Sequence, residues 1–183
     1  MNSIIDKETD SDQEIGKKLA GKYLTFALDK EEYAIEILKV NQIIRLQEIT
    51  SIPCTPPFIR GVINLRGMII PIIDLRKKFK MDDHTDTDRS CIVVIQLEQT
   101  NKRVNMGIVI DEVREVIEIP AGDIEATPEL GTNIDTEFIL GIAKTGKSVK
   151  MMLDINKVLT SSEIETLSDL SKKDETGTIG KGY

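Results

Sequence analysis

An internal repeat constrains the fold of this chain more than any other sequence feature. The segment FIRGVINLRGMIIPIIDLRKKF, residues 58–79, aligns without gaps over FILGIAKTGKSVKMMLDINKVL, residues 138–159, at an offset of 80. Phe58, Gly61 and Asp74 each have an identical residue 80 positions later, and apolar positions match along the segment. A weaker match places residues 37–44 over 110–117 at an offset of 73. The repeat predicts two copies of one structural unit.

Both copies have the pattern of short strands followed by a short helix. Only 4% of the chain is aromatic although 40% is hydrophobic, and the β-branched residues that dominate its apolar segments favour strands. Predicted strands are 23–28, 33–37, 42–47, 61–65, 67–73, 90–97, 102–110, 113–119, 138–143 and 148–153. Because proline has no backbone donor, Pro71 predicts an edge or a bulge in its strand. The fold class is therefore mainly β, with spacing typical of small barrels or a sandwich.

The chain divides into two pseudo-repeated lobes between terminal tails. The lobes are predicted at approximately 23–79 and 90–159, with short helices at 74–80 and 154–160, each opening on an aspartate cap. A further helix is predicted over 162–170, where Ser162 and Glu165 have capping-box spacing. Residues 1–21 and 171–183 are polar and charged with little apolar periodicity, so flexible tails are predicted there.

Composition excludes several classes of function. The net charge is −7 and the pI about 4.9, whereas a general nucleic-acid binder needs a strongly basic face. No apolar run approaches the length needed to span a bilayer, and the acidic start lacks a secretory signal pattern. Two cysteines, Cys54 and Cys91, make no disulfide framework, so a cytoplasmic chain with reduced thiols is expected.

Candidate catalytic and metal-binding residues are few. The chain has one histidine, His84, in the polar run MDDHTDTDRS. His84 with its neighbouring aspartates could hold a metal, but the composition of the run favours a solvated loop, and no metal or cofactor is predicted. Asp74 and Asp154 are interpreted as helix caps rather than a catalytic pair of carboxylates. We therefore expect no enzymatic activity.

One string matches a nucleotide-binding motif letter for letter. GIAKTGKS, residues 141–148, has the spacing of a phosphate-binding P-loop. A P-loop must open a long helix, whereas the residues that follow align with a predicted strand of the first copy. The favoured interpretation is a hairpin turn with an exposed Lys147, and a small nucleotide-binding protein remains the alternative.

A second constellation is GVINLRG, where glycines bracket an apolar strand that ends in Arg66. The matching position in the second copy is Gly146, so the repeated unit does not require the arginine. A permanent charge with five donors suits an acidic or carbonyl-rich partner surface. A solvated charge at a hairpin tip is the alternative.

Three segments together resemble the CheW family of bacterial chemotaxis adaptors: EEYAIEILKVNQII, TPPFIRGVINLRGMIIPIIDLRKKF and VNMGIVIDEVREVIEI. The resemblance covers roughly 22–170, and NLRG followed by a proline-containing apolar strand and IDLR is its most specific part. It implies two five-stranded SH3-like β-barrel lobes packed together, with a few short helices and no catalysis. It also implies two partners, a CheA-type histidine kinase, through its regulatory domain, and the signalling tip of a methyl-accepting chemoreceptor.

The resemblance also implies binding residues. In the family, receptor tips bind in the groove between the lobes, and the matching positions here are Val40, Gly61 and Arg66. On spacing alone, Val40 would instead be interpreted as core. Kinase contacts carry over to Asn64, Leu65 and Met68. Recruitment from the cytoplasm to membrane-associated receptor arrays is implied without membrane insertion, and coupling in a non-chemotaxis kinase pathway is a further alternative.

Overall fold

The computed structural model describes residues 3–128 and 136–176. Four α-helices, two 3-10 helices and eleven strands are formed within these residues. The α-helices are α1 (Ser3–Leu19), α2 (Leu75–Lys78), α3 (Ile155–Val158) and α4 (Ser161–Thr176). The strands are β1 (Gly21–Leu28), β2 (Glu31–Glu36), β3 (Val40–Arg45), β4 (Ile59–Leu65), β5 (Met68–Asp74), β6 (Cys91–Gln99), β7 (Lys102–Ile110), β8 (Glu112–Ile119), β9 (Ile124–Glu125), β10 (Ile139–Thr145) and β11 (Ser148–Leu153). The prediction of a mainly β fold is confirmed.

The chain folds into two compact units. The terminal unit is drawn from Met1–Leu38 and Val113–Val158, and the central unit from Lys39–Glu112 and Leu159–Tyr183. These units differ from the lobes predicted at 23–79 and 90–159, because strands of the two copies are exchanged between them. Strand β2 of the first copy pairs in parallel with β11 of the second, Tyr33 opposite Met151. Which strands belong to each unit is therefore determined by long-range strand pairing, and the repeat alignment holds no information about that pairing.

The terminal unit is built on a six-stranded sheet in the order β8-β1-β2-β11-β10-β9. The two-residue strand β9 makes it six strands rather than the predicted five. Its core includes Tyr23, Ala34, Ile119, Ala143 and Met152, all almost completely buried. Burial raises the pKa of Tyr23 to about 12, and the charge of Glu36 adds to the effect.

The central unit contains a five-stranded sheet in the order β3-β6-β7-β5-β4. Its core includes Ile63, Ile70, Ile72, Ile92 and Val94. The sequence predicts an edge or a bulge at Pro71. Strand β5 is interior in the strand order, and the register shift of the β4–β5 ladder lies between Ile59 and Gly61 rather than opposite Pro71, so neither alternative is found at this residue. The ladder between β5 and β7 begins only at Ile72, one residue after the proline. The N–H that Pro71 lacks is therefore not needed by this ladder.

The repeat is a repeat of structure as well as of sequence. The hairpin β4–β5 (the first hairpin) and the hairpin β10–β11 (the second hairpin) have the same register, with Leu65 opposite Met68 and Thr145 opposite Ser148. Each register shifts near the matched glycine, between Ile59 and Gly61 in one and between Ile139 and Gly141 in the other. The equivalent sequence patterns therefore produce equivalent backbones.

The matched aspartates cap the two short helices. Asp74 accepts a hydrogen bond from the Lys77 amide at 3.2 Å, and Asp154 accepts one from the Asn156 amide at 3.0 Å. The amide of each aspartate also donates to the phenylalanine that opens its copy, Phe58 or Phe138, at 2.7 and 2.8 Å. The prediction that these carboxylates act as caps is confirmed.

The N-terminal segment differs from the predicted tail at 1–21. Residues Ser3–Leu19 form α1, and Ile15 and Leu19 pack against the core of the terminal unit. The Tyr23 hydroxyl donates to the Leu19 carbonyl at 2.6 Å, and Asp12 accepts from the Ala126 amide at 2.9 Å. The sequence of α1 has only a few apolar residues, but they fall on one face, and tertiary packing supplies the stability that composition does not.

At the other end, helix α4 extends over Ser161–Thr176, which is longer than the predicted 162–170 and takes up the start of the predicted tail at 171–183. Residues 177–183 lie outside the described residues. The capping box lies two residues earlier than predicted. The Thr160 amide donates to Glu163 at 2.8 Å, and the Glu163 amide donates to the Thr160 hydroxyl at 3.3 Å.

Candidate interaction surface

Five of the six residues that the sequence analysis selects lie on the first hairpin. Gly61, Asn64 and Leu65 belong to β4, Met68 begins β5, and Arg66 lies in the turn between them. All five belong to the central unit. Asn64, Arg66 and Met68 are exposed, and Met68 is 53% exposed despite its apolar side chain.

The turn of the first hairpin holds Arg66 in a conformation that favours glycine. Arg66 has φ +53 and Gly67 has φ +85, and two consecutive positive φ values are typical of a tight hairpin turn. The Asn64 side chain stabilises this turn, because its Oδ1 accepts a hydrogen bond from the Gly67 amide at 2.9 Å. In the second hairpin the position of Arg66 is Gly146, with φ +62. The protein therefore keeps an arginine where the backbone favours a glycine.

Gly61 is buried where two backbones approach closely. Its φ is +143, and a Cβ atom at this position would overlap the carbonyl oxygen of Thr50. The Thr50 amide and carbonyl exchange hydrogen bonds with Val62, both at 2.9 Å. The backbone alone therefore explains the glycine, and its assignment to receptor binding stays a prediction.

Val40 lies apart from the first hairpin in the strand order. It begins β3 and is half-buried opposite Ile95 of β6. Strands β3 and β4 occupy opposite ends of the hydrogen-bonded order of the sheet. The hydrogen-bonded order does not place Val40 beside Gly61 and Arg66.

Sequence reasoning missed an exposed leucine two residues before Val40. Leu38 lies in a 3-10 helix over Ile37–Lys39 and is 92% exposed. Its spacing relative to Ile35 and Val40 is that of a core residue, so the sequence carries no signal for its exposure.

Three of the six basic residues in the run between Arg60 and Lys80 form ion pairs with carboxylates. Arg76 bonds to Asp111 at 2.5 Å, and Lys78 bonds to Glu163 at 2.8 Å. Arg60 forms a two-pronged contact with Asp86, described below. Arg66, Lys77 and Lys80 form no ion pair with any residue that the structure describes. Of these three, only Arg66 lies at the turn of the first hairpin, so it is the candidate of this run for contact with a partner.

The end of the first hairpin is apolar where that of the second is polar. Ile70 is buried in the core of the central unit, Leu65 packs against that core, and Met68 lies beside them at the surface. The matching residues of the second hairpin are Lys150, Thr145 and Ser148. The fold accepts either set, so the apolar set has no purely structural explanation.

The polar set is internally satisfied. The Lys150 ammonium donates to Thr145 Oγ1 at 2.9 Å and to Ser148 Oγ at 3.0 Å, and it pairs with Glu32 at 2.7 Å. Lys150 is 5% exposed. A buried ammonium with three partners needs no external ligand.

The P-loop string forms a hairpin turn, as the repeat predicts. Gly141 to Thr145 lie in β10, Gly146 and Lys147 form the turn, and Ser148 starts β11. A P-loop would continue into a helix with its amides around a phosphate, but here the string continues into a strand. The Ser148 hydroxyl, which would hold magnesium in a P-loop, is instead hydrogen-bonded to Lys150 and to the Thr145 carbonyl.

The loop around His84 is anchored by an ion pair. The Arg60 guanidinium donates to both oxygens of Asp86, at 3.1 and 2.6 Å. These hydrogen bonds hold the pKa of Asp86 below its ordinary value and raise the pKa of Arg60. Over the described part of the chain, no group of three or more histidine, cysteine or carboxylate side chains is arranged to hold a metal ion.

Comparison with known proteins identifies the family. The family model described as CheW-like domain matches residues 22–163. The chain belongs to the CheW-like family. The chemotaxis protein CheW of Klebsiella aerogenes is 38% identical over 157 residues, which cover 86% of this chain and 92% of that protein. CheW of Bacillus subtilis is 35% identical over 143 residues, which cover 78% of this chain and 88% of that protein.

A solved structure confirms the fold of this CheW-like chain. The scaffolding protein TtCheW from Thermoanaerobacter tengcongensis is 35% identical, with a TM-score of 0.69 over 79% of this chain and 91% of that chain. Two sheets of five and six strands are consistent with SH3-like lobes. The family match begins at residue 22 and so leaves α1 outside it. Among the described helices, none is long and apolar enough to cross a membrane.

Proposed function

We propose that this chain is a non-catalytic adaptor of chemotaxis signalling. It holds the signalling tip of a chemoreceptor and the regulatory domain of a CheA-type histidine kinase together, and it is recruited to membrane-associated receptor arrays by the receptor. Membership of the CheW-like family supports this role, as does a solved relative titled a scaffolding protein. A structural coupler transmits a signal through differences in binding free energy between partner states, without chemistry of its own.

The contrast between the two hairpins is the observation that carries the proposal. The first hairpin presents Arg66 and an exposed Met68, whereas the second has Gly146 and Ser148 at these positions. Arginine and methionine are enriched at protein interfaces. Of the two structurally equivalent hairpins, only the first therefore exposes both an arginine and a methionine, whereas the second exposes Val149.

The partners are assigned to different residues. We assign Asn64, Leu65 and Met68 to the kinase and Val40, Gly61 and Arg66 to the receptor. Asn64 acts through the turn that its side chain holds, and Leu65 supports the exposed side chain of Met68 from the core side. Gly61 acts by allowing the close approach of the 50–51 backbone.

The second copy supplies the substitutions that test this assignment. Leu65→Thr with Met68→Ser introduces the residues found at Thr145 and Ser148, which the hairpin backbone accepts. The expected result is kinase-domain binding weakened by about 10-fold or more, because truncating an interface anchor costs about 2 kcal/mol, while receptor-tip binding is retained. Val149→Ser is the control, since Val149 is equally exposed at 53% but lies on the second hairpin.

Isothermal titration with the isolated kinase regulatory domain and a receptor signalling tip measures both affinities. If the wild-type chain binds neither partner, the adaptor function is wrong. If the double variant binds the kinase domain as tightly as the wild type, the adaptor function stands and the kinase assignment is wrong. A parallel titration with Mg-ATP is expected to show no binding, because the P-loop string is a hairpin turn.

A further inference from the structure

A groove in the central unit lies beside the first hairpin but includes residues that no assignment above uses. Its volume is about 660 Å³. The start of β5 and the start of β7 form two sides, and α4 forms a wall with Ser168 and Ser171, one turn apart. Lys102 and Arg103 lie at one end, next to the β6–β7 turn.

The groove exists because β5 and β7 separate. Their parallel ladder covers only Ile72, Ile73 and Asp74 of β5. Pro71, the residue before it, has no N–H with which to extend the ladder. The proline thus ends the sheet at this point and leaves the first residues of β5 and β7 unpaired with each other.

The opening presents main-chain groups to an incoming chain. Val62 makes both of its main-chain hydrogen bonds to Thr50. Val62 and Pro71, which lie opposite each other in the β4–β5 ladder, therefore form a pair that is not hydrogen-bonded. Such pairs recur at every second residue of an antiparallel ladder. Ile69, opposite Asn64, is therefore also in such a pair, and its N–H and C=O face the groove. An extended segment can bind a strand edge of this kind through main-chain hydrogen bonds.

The wall of the groove is held firmly. The Lys78 ammonium contacts both carboxylate oxygens of Glu163 at 2.8 Å, which fixes the N-terminus of α4. Ile164 and Leu167 of α4 are buried. The groove is therefore a preformed feature, so a bound segment would not bear the cost of ordering its wall.

The charge of the groove indicates the chemistry of its occupant. Lys102 and Arg103 are both exposed at one end, in a protein whose net charge is −7. The acidic residue at this end is Glu98, which lies opposite Arg103 and pairs with Lys39 at 3.4 Å, so a net positive charge remains. A net positive end on an acidic protein attracts a segment with carboxylates and disfavours basic ones. The rest of the lining mixes apolar side chains, such as Met68, Ile69 and Val104, with the polar side chains of Asn105, Ser168 and Ser171.

We propose that this groove receives an extended segment with acidic and apolar side chains from the kinase regulatory domain. This inference rests on the proposed adaptor function, because the groove is continuous with Met68, which is assigned to the kinase. It adds Lys102 and Arg103 as charge partners, Ile69 as a main-chain partner and α4 as a wall.

Two variants test the groove, each with a matched control. Lys102→Glu with Arg103→Glu reverses its charge, and Lys30→Glu with Lys147→Glu makes the same change in net charge on exposed turns of the terminal unit. Ser171→Trp fills the groove from α4, and Asp169→Trp places the same side chain at an exposed position of that helix. Both groove variants are expected to weaken binding of the kinase regulatory domain at least about 10-fold. The controls and receptor-tip binding are expected to stay within about 2-fold of the wild type.

The outcomes separate the groove from the adaptor function. If the wild type binds the kinase domain and both groove variants bind it equally well, the groove is not the docking site although the function stands. Equal weakening of kinase and receptor binding would also overturn the groove, because the effect would not be specific to one partner. If the wild type binds neither partner, the adaptor function itself fails. Thermal melts of all four variants identify any loss of binding that results from unfolding.

Discussion

Lys150 occupies the strand position in the second hairpin that Ile70 occupies in the first, and both side chains are buried, at 5% and 2% exposure. The backbone registers around them are the same. One position of one supersecondary unit therefore accommodates either an apolar side chain or an ammonium. The ammonium is accommodated because Thr145, Ser148 and Glu32 surround it.

Lys150→Ala is expected to destabilise the protein by about 2 kcal/mol, because it removes three contacts and leaves a carboxylate that is only partly solvated. Lys144→Ala on the same hairpin is the control. Lys144 pairs with Glu125 at 2.5 Å, but its side chain is 56% exposed, so the expected cost is below about 1 kcal/mol. Urea denaturation measures both values, and equal costs would contradict the structural role given to Lys150.

Exchanging the turn residues is expected to have opposite effects in the two hairpins. Arg66→Gly relieves a positive φ and should leave stability unchanged or raise it by up to about 1 kcal/mol, whereas Gly146→Arg should lower it by about 1 kcal/mol. Chemical denaturation checks both. Arg66→Gly and Arg66→Asp should still weaken receptor binding, and undiminished binding to both partners would remove Arg66 from the contact surface.

The two matched glycines are expected to differ in their tolerance of alanine. Gly61→Ala combines a positive φ with overlap on the Thr50 carbonyl. A Cβ at Gly141 would lie 2.9 Å from the Glu125 carbonyl oxygen, a milder conflict. Gly61→Ala should therefore cost at least about 2 kcal/mol more than Gly141→Ala. Thermal melts check this difference, and a receptor-binding defect in a Gly61 variant is informative only if the variant folds.

The N-terminal helix is expected to contribute to stability. Ile15→Ala with Leu19→Ala should lower the free energy of unfolding by about 2 kcal/mol, because both side chains pack against the core and are partly buried. Lys17→Ala with Lys18→Ala, at exposed positions of the same helix, should change it little. If the apolar pair behaved like the lysine pair, α1 would not be docked in solution.

Stability is expected to depend on pH through Asp86. Its pKa in the folded protein is lowered, chiefly by hydrogen bonds from Arg60. The resulting stabilisation is present above the unfolded-state pKa of about 3.9 and disappears as the pH falls through the lowered folded-state pKa. The stability difference between wild type and Asp86→Asn should therefore be constant at neutral pH and shrink in acid.

Arg60→Leu provides the matching control for that pH dependence. Leucine is the residue at the equivalent position 140, and the substitution removes the donor instead of the acceptor. In denaturation curves, the stability difference between the wild type and Arg60→Leu should shrink in acid over the same range as the difference for Asp86→Asn. A difference for Arg60→Leu that did not change with pH would assign the lowered pKa of Asp86 to a group other than Arg60.

The sequence predicted most strands and the hairpin identity of the P-loop string because these features depend on local pattern. The alternation of apolar and polar residues and the turn residues identify a hairpin from a short local stretch of chain. The repeat alignment then predicts at 141–153 the same hairpin that is predicted at 61–73. The predicted strands 102–110 and 148–153 agree with β7 and β11 in both bounds. The capping box of α4 was displaced because Thr160 and Ser162 both have acidic residues at the required spacing.

By itself, the sequence determined the class of fold, the two equivalent hairpins and the family. It also showed that the first copy has an arginine, Arg66, where the second copy has a glycine. Only the tertiary structure decided how the strands were exchanged between the units, because parallel pairing of β2 with β11 joins residues more than 100 positions apart. It also decided that α1 docks and that Pro71 opens a groove, since both depend on contacts with distant segments. Local periodicity specifies elements, whereas their partners depend on which distant surfaces bury one another.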